Sequence, residues 1–226
     1  MSNYLERSEQ LLGKDKIDSL ADKRILVIGV GGVGGTALES LARSGFKKFV
    51  LIDADKVDVS NLNRQLLFTL DDVEKDKVEA AKERLLKINP EFEIYVVKAR
   101  IGEVKLEEIK LPKIDFIVDA IDDVEGKLHI YEFAQKNKIP FISSLGMGNR
   151  IDPECVTITK LNKTENDPLA KKIRYLAKQK GLDLKEIPVV FSKEAPLVKS
   201  PKPTSMMMVP STAGLLITKY ILITIL

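Results

Sequence analysis

The chain has 226 residues, 44% of them hydrophobic, and a formal net charge of +3. That supplies one large domain, or one and a half, with a full core. A single cysteine, Cys155, excludes a disulfide framework and a Cys-rich metal site, and points to a reducing, cytoplasmic setting.

Residues Met1–Gln10 are polar and charged, unlike a signal peptide. From residue 24 onward, strand-like and helix-like segments alternate. Ile25–Ile28, Phe49–Ile52, Ile94–Val97, Phe116–Val118 and Phe141–Ser144 are short apolar runs that predict buried strands. Thr36–Arg43, Lys75–Lys87 and Gly126–Asn137 carry helical patterns between them. This alternation predicts an α/β, Rossmann-like fold, a mostly parallel sheet with helices on both faces. After Gly146 the pattern changes. Cys155–Thr159 alternates like a strand exposed on one face, and Ile187–Phe191 reads as another strand. The sheet is therefore expected to end in an antiparallel C-terminal part. Between these two, Asp167 caps a basic helix with Pro168 at its first position. Residues 193–203 hold three prolines and read as a mobile loop. Ser205–Val209 is expected as a strand, with Ser211 capping the last helix. The final run, Gly214–Leu226, is interrupted by Lys219 and is shorter than the roughly 20 apolar residues that span a bilayer. It predicts a core or dimer-interface helix and no stable membrane insertion.

The strand Ile25–Ile28 runs into five glycines within seven residues: Gly29, Gly31, Gly32, Gly34 and Gly35. Strand, glycine turn, helix is an arrangement that binds phosphates, because helix N-terminal N–H groups face the ligand. The turn, together with Asp53 at the end of the next strand, would by itself favour NAD. The following segment, Leu51–Gln65, changes that. With its Ser60-Asn61-Leu62-Asn63-Arg64-Gln65 it resembles the ATP-binding segment of the ubiquitin-activating-enzyme superfamily, of the HesA/MoeB/ThiF adenylating type. The resemblance covers at least residues 3–147. It implies that ATP, with Mg²⁺, activates a carboxylate as an acyl-adenylate.

The resemblance also implies roles. Gly29, Gly31, Gly32 and Gly34 would make the nucleotide turn, and Asp53 would hold the ribose. Asn61, Arg64 and Gln65 would form the polar set beside the phosphates. Lys77, thirteen residues after Arg64, matches the family lysine that contacts them. In Asp119-Ala120-Ile121-Asp122-Asp123, Asp122 would lie by the adenylate and hold Mg²⁺. Asp123 stands where the family usually carries Asn or Ser, and is counted with Asp55 in the nucleotide set. Asp55 and Asp58 read as loop or turn residues rather than catalytic ones, and His129 as structural. Arg7 matches an arginine that the family delivers from a neighbouring subunit, which implies a homodimer. The catalytic set is then Arg64, Lys77, Asp122 and Arg7, with residues 1–146 as the ATP-binding core. Residues 147–226 would form a C-terminal extension of the same fold, on the substrate side and at dimer contacts.

The carboxylate is narrowed by what is missing. Members that pass the acyl group to a cysteine, or hold zinc with two Cys-x-x-Cys pairs, use devices that one cysteine cannot build. Leu145–Pro153, Val156–Leu161, Asp167–Ala170, Val190–Ser192 with Glu194, and Val209–Ser211 with Ala213-Gly214 resemble the tRNA threonylcarbamoyladenosine dehydratases. The reaction implied is ATP-dependent cyclisation of a modified adenosine on tRNA, in which a neighbouring nitrogen of the substrate replaces the enzyme nucleophile. The alternative is a zinc-free adenylyltransferase for the C-terminal Gly-Gly of a ubiquitin-like sulfur carrier. Sulfur-transfer proteins remain candidate partners. Charge is consistent with tRNA: residues 147–205 hold 12 Lys and Arg against 7 Asp and Glu. Lys171, Arg174 and Lys178 are spaced for one helical face, and with Arg150 are the expected tRNA contacts. An ordinary solvated helix would have the same spacing.

Overall fold

The computed structural model describes residues 4–198, 200 and 204–226. Seven strands form one sheet: β1 Arg24–Ile28, β2 Lys48–Ile52, β3 Glu93–Val97, β4 Phe116–Asp119, β5 Phe141–Ser144, β6 Val156–Lys160 and β7 Pro188–Ser192. Their order is β3-β2-β1-β4-β5-β7-β6. Every pairing is parallel except the last, where β6 runs antiparallel to β7. The mostly parallel sheet and its antiparallel end are as the sequence predicts.

The strands lie between two cores because side chains alternate across the pleat. Ile25 and Val27 of β1, with Phe49 and Leu51 of β2, enter one core. Leu26, Ile28, Val50 and Ile52 enter the other. The first core is covered by α3 (Gly32–Arg43), α4 (Lys77–Leu86) and α7 (Met208–Ile225). The second is covered by α5 (Val124–Lys136) and α6 (Pro168–Gln179). Two short helices, α1 (Glu6–Leu12) and α2 (Lys14–Ala21), precede β1 and have no counterpart in the sequence reading.

One segment differs from expectation. Ser205–Val209 is not a strand, and α7 begins at Met208. Pro210 lies in its first turn, where the missing N–H costs no helical bond. Ser211 therefore sits inside the helix rather than capping it: its N–H donates to Met207 O at 3.0 Å, and its hydroxyl meets Thr36 at 3.3 Å. By length and composition α7 is apolar enough to cross a membrane, alone among helices of the described residues. Val209, Ala213, Ile217 and Ile221 place one of its faces in the core. Of the expected loop at 193–203, residues 199 and 201–203 lie outside the described residues.

Candidate active site

Strand order reverses between β1 and β4, and such switch points open a crevice at the carboxyl ends of the strands. A cleft of about 650 Å³ lies there. Its floor is the turn after β1, and its walls are the segments after β2, β4 and β5. Gly29 has φ +85°, and a Cβ on it would stand 2.8 Å from Ala120 O. Only glycine fits at this crossing of two strand ends. Gly29, Gly31 and Gly32 line the cleft. Gly34 does not. A Cβ there would meet Gly29 O at 1.8 Å, so this glycine lets α3 pack on the turn instead of facing a ligand.

Asp53 ties the turn to β2. One carboxylate oxygen accepts the Val30 N–H at 2.8 Å, and the other accepts the Asp55 N–H at 2.9 Å. Asn61 fixes the next loop by accepting from the Asp58 backbone while Asp58 accepts from Ser60. Gln65 is buried and lines the cleft, and its Oε1 has no hydrogen-bond partner. A buried acceptor without a donor is costly unless a ligand supplies one.

Two cations converge on Asp55. Lys77 Nζ lies 3.1 Å from one oxygen and Arg100 Nη2 2.6 Å from the other. Burial alone would raise the Asp55 carboxyl. Lys77 and Arg100 outweigh it and hold the group below the usual carboxylate range. Arg100 is shared further, with Glu103 at 3.7 Å from its Nε. Asp55 thus orients both cations, a task that its reading as a loop residue did not include. Arg100 lines the cleft as well and was not singled out in the sequence. Its signal was its place, three residues past the end of β3 on the carboxyl edge of the sheet. Arg64 is arranged differently. Its Nη1 donates to Ser60 O at 2.8 Å and to Asn63 Oδ1 at 2.9 Å. Its Nε and Nη2 have no protein partner among the described residues, so they remain available at the cleft.

On the β4 side, Asp122 is an exposed carboxylate lining the cleft. Asp123 lines it too, and also caps α5 by accepting from the Gly126 N–H. Asp, Asn and Ser all serve as N-caps, which accounts for the departure from the family's usual residues at this position. Below them Asp119 and Lys127 form a fully buried pair at 2.9 Å. Lys127 also donates to Ser143 Oγ and Ser144 O, and Tyr131 shares a 2.7 Å hydrogen bond with Ser143. Burial, with Asp119 nearby, pushes the Tyr131 hydroxyl well above its usual pKa. The network holds the ends of β4 and β5 under the cleft.

The expected tRNA contacts divide. Arg150 is buried, and its guanidinium donates to the carbonyls of Gly146, Gly148, Asn166 and Glu194 at 2.6–3.1 Å. It is a strut between three loops, not a surface cation. Arg174 is half-buried and donates to Thr164 from inside the fold. Lys171 and Lys178 are exposed. Arg7, on α1, is exposed and lies outside the cleft of its own chain. Cys155 is also outside it, and its thiol donates to Asp152 at 3.2 Å. That bond to a carboxylate pushes the thiol pKa up, which disfavours the nucleophilic thiolate. His129 accepts the Leu106 N–H at 2.9 Å, in keeping with a structural role.

A model of the ThiF family matches residues 5–181. A tRNA threonylcarbamoyladenosine dehydratase of Bacillus subtilis is 36% identical, over all of this chain and 96% of its own length. A molybdopterin-synthase adenylyltransferase of Haemophilus influenzae is 33% identical, over 81% of this chain and 72% of its own. The crystal structure of the Escherichia coli tRNA N6-threonylcarbamoyladenosine dehydratase in complex with ATP superposes with a TM-score of 0.91. It shares 34% identity, with 98% of this chain and 93% of that one covered. On the extent of the family match and the full-length relative, this chain belongs to the ThiF family.

Proposed function

We propose that this chain uses ATP to adenylate the threonyl carboxylate of threonylcarbamoyladenosine in tRNA and so drives its cyclisation. One observation carries the reading: Arg64, Lys77 and Asp122 share a switch-point cleft that holds no thiol. An acyl-adenylate made there has no cleft cysteine to resolve it, which suits a substrate that brings its own nucleophile. The full-length dehydratase relative and the ATP complex of its counterpart support the same choice.

A carboxylate oxygen bonds to the α-phosphorus of ATP and the bond to pyrophosphate breaks. A nitrogen of the same modification then attacks the carbonyl carbon. The bond to AMP breaks, and the nitrogen loses its proton. One carboxylate oxygen leaves in AMP, so the nucleoside loses one water overall. Intramolecular attack has a high effective molarity and needs no enzyme nucleophile. The first step brings an anion to a polyanion, so positive charge near the phosphates matters most. Arg64 supplies it with free donors, and Lys77 does so from a fixed position beside Asp55. Asp53 would hold the ribose, and the orphaned Gln65 Oε1 would accept from a nucleotide donor.

Asp122 fits Mg²⁺. The described residues contain no cluster of three or more His, Cys, Asp or Glu. Mg²⁺ on a nucleotide needs only one or two carboxylates besides the phosphate oxygens. Bound there, it would neutralise charge on those oxygens. Arg7 is proposed to act on a partner's cleft in a homodimer. It shares its helix face with Leu11, four residues on, which is 81% exposed in the single chain. A tRNA substrate also accords with a cytoplasmic location.

The reading predicts that ATP, Mg²⁺ and tRNA carrying threonylcarbamoyladenosine yield a nucleoside lighter by one water, detected by mass spectrometry, with one AMP per turnover. An unchanged nucleoside, alongside adenylation of a Gly-Gly carrier protein, would favour the sulfur-carrier reading instead.

A further inference from the structure

Helix α6 leads away from the cleft. Asp167, Pro168 and Leu169 line the cleft at its start. Ala170, Ile173 and Ala177 are buried in the core, which fixes the helix's rotation. The opposite face presents Lys171, Tyr175 and Lys178 at i, i+4 and i+7. Tyr175 is 64% exposed. The sequence of α6 contains no acidic residue. Lys180, just beyond the helix, pairs with Glu132 at 3.0 Å. Lys171, Lys172 and Lys178 have no acidic partner among the described residues. An exposed aromatic ring flanked by unpaired cations is the chemistry that holds single-stranded nucleic acid. The ring stacks on a base while the cations meet phosphates.

We propose that this face of α6 is a platform for the RNA strand beside the modified nucleotide, with Tyr175 stacking on a neighbouring base and Lys171 and Lys178 on the backbone. The proposal rests on the tRNA reading of the cleft. Tyr175 lies six residues past Leu169, about 9 Å along the helix. That is roughly the span of two or three stacked nucleotides at about 3.4 Å each. A strand with one nucleotide in the cleft therefore reaches the ring without unwinding far. Arg174, tied to Thr164, takes no part.

The chain contains no tryptophan, so Tyr175→Trp introduces a single fluorescent reporter on the platform. Its emission is expected to be quenched when tRNA carrying threonylcarbamoyladenosine is added. Tyr175→Ala should raise the KM for that tRNA about tenfold, leaving kcat and the KM for ATP unchanged. Tyr175→Phe should behave as wild type. Lys171→Glu with Lys178→Glu should flatten the salt dependence of binding, by about 0.7 in logarithmic slope for each lost contact. If wild type dehydrates the tRNA while Tyr175→Ala keeps its KM and Tyr175→Trp is not quenched, the platform is wrong and the functional reading stands. A lower oligomeric mass for Tyr175→Ala with an unchanged KM puts a second copy of the chain on this face and also overturns the proposal. A wild type that leaves the tRNA unchanged overturns the functional reading and the platform with it.

Discussion

Arg64→Ala is expected to lower kcat by about 10³-fold while leaving the protein folded. Removing one donor from a preorganised oxyanion site typically costs 10²–10³-fold, and two features place Arg64 at the upper end. The reaction brings a carboxylate against a triphosphate, so the transition state gathers more negative charge than most acyl transfers. Among the described residues Arg64 is also a cleft cation whose charge no acid shares; Arg150, the other, is spent on four backbone carbonyls. Lys77 and Arg100 are both held by Asp55. The Arg64 side chain is only anchored, through Ser60 O and Asn63 Oδ1, and keeps Nε and Nη2 free. Those anchors lie in a surface loop, so the melting temperature should barely move. Single-turnover formation of AMP is the measurement. A rate within a few-fold of wild type, in a folded variant, would remove Arg64 from the reacting centre.

Lys127→Met should instead act on the fold. Lys127 and Asp119 are both fully buried and bonded at 2.9 Å. Deleting the cation leaves Asp119 with the Ser143 hydroxyl and the Ile121 N–H, and no opposite charge. Breaking a buried pair from one side typically costs about 3–5 kcal/mol. For a chain of this size that lowers the melting temperature by roughly 10 °C. Replacing both partners, as Lys127→Met with Asp119→Leu, should recover much of the loss, because no unpaired charge remains. Thermal unfolding of the two variants decides it. A single variant as stable as wild type would contradict the reading of this pair as a buried charge couple. The pair also bears on function, since Asp119 starts the turn that carries Asp122 into the cleft.

The strands, and the motif residues that the cleft brings together, were legible because local pattern determines them. Apolar runs of four or five residues bounded by glycine or charge suit strands covered by helices, although Ile94–Val97, expected to be buried, lies in the edge strand and is half-buried or exposed. The segment from Asp53 to Gln65 is specific enough to separate ATP from NAD. Features set by distant contacts were not legible. Arg150 looked like an RNA-facing cation because arginine is usually exposed. Gly146 and Gly148 are in its own loop, but its other carbonyl partners, Asn166 and Glu194, come from loops that meet it only in the folded chain. The run Ser205–Val209 looked like a strand because it is mostly apolar and a proline follows it. Proline in the first turn of a helix carries the same local signal. Arg100 escaped because no motif surrounds it. The role of Gly34, packing rather than ligand approach, follows from a helix–strand distance that spacing does not encode.

The central claim is that a carboxylate on tRNA attacks the α-phosphorus of ATP in this cleft. Transfer of heavy oxygen tests it most directly. Threonylcarbamoyladenosine labelled in its carboxylate oxygens, presented on tRNA with ATP, should deliver one heavy oxygen to AMP and none to pyrophosphate. Heavy oxygen in inorganic phosphate or pyrophosphate, or unlabelled AMP beside a cyclised nucleoside, would contradict adenylation of the carboxylate.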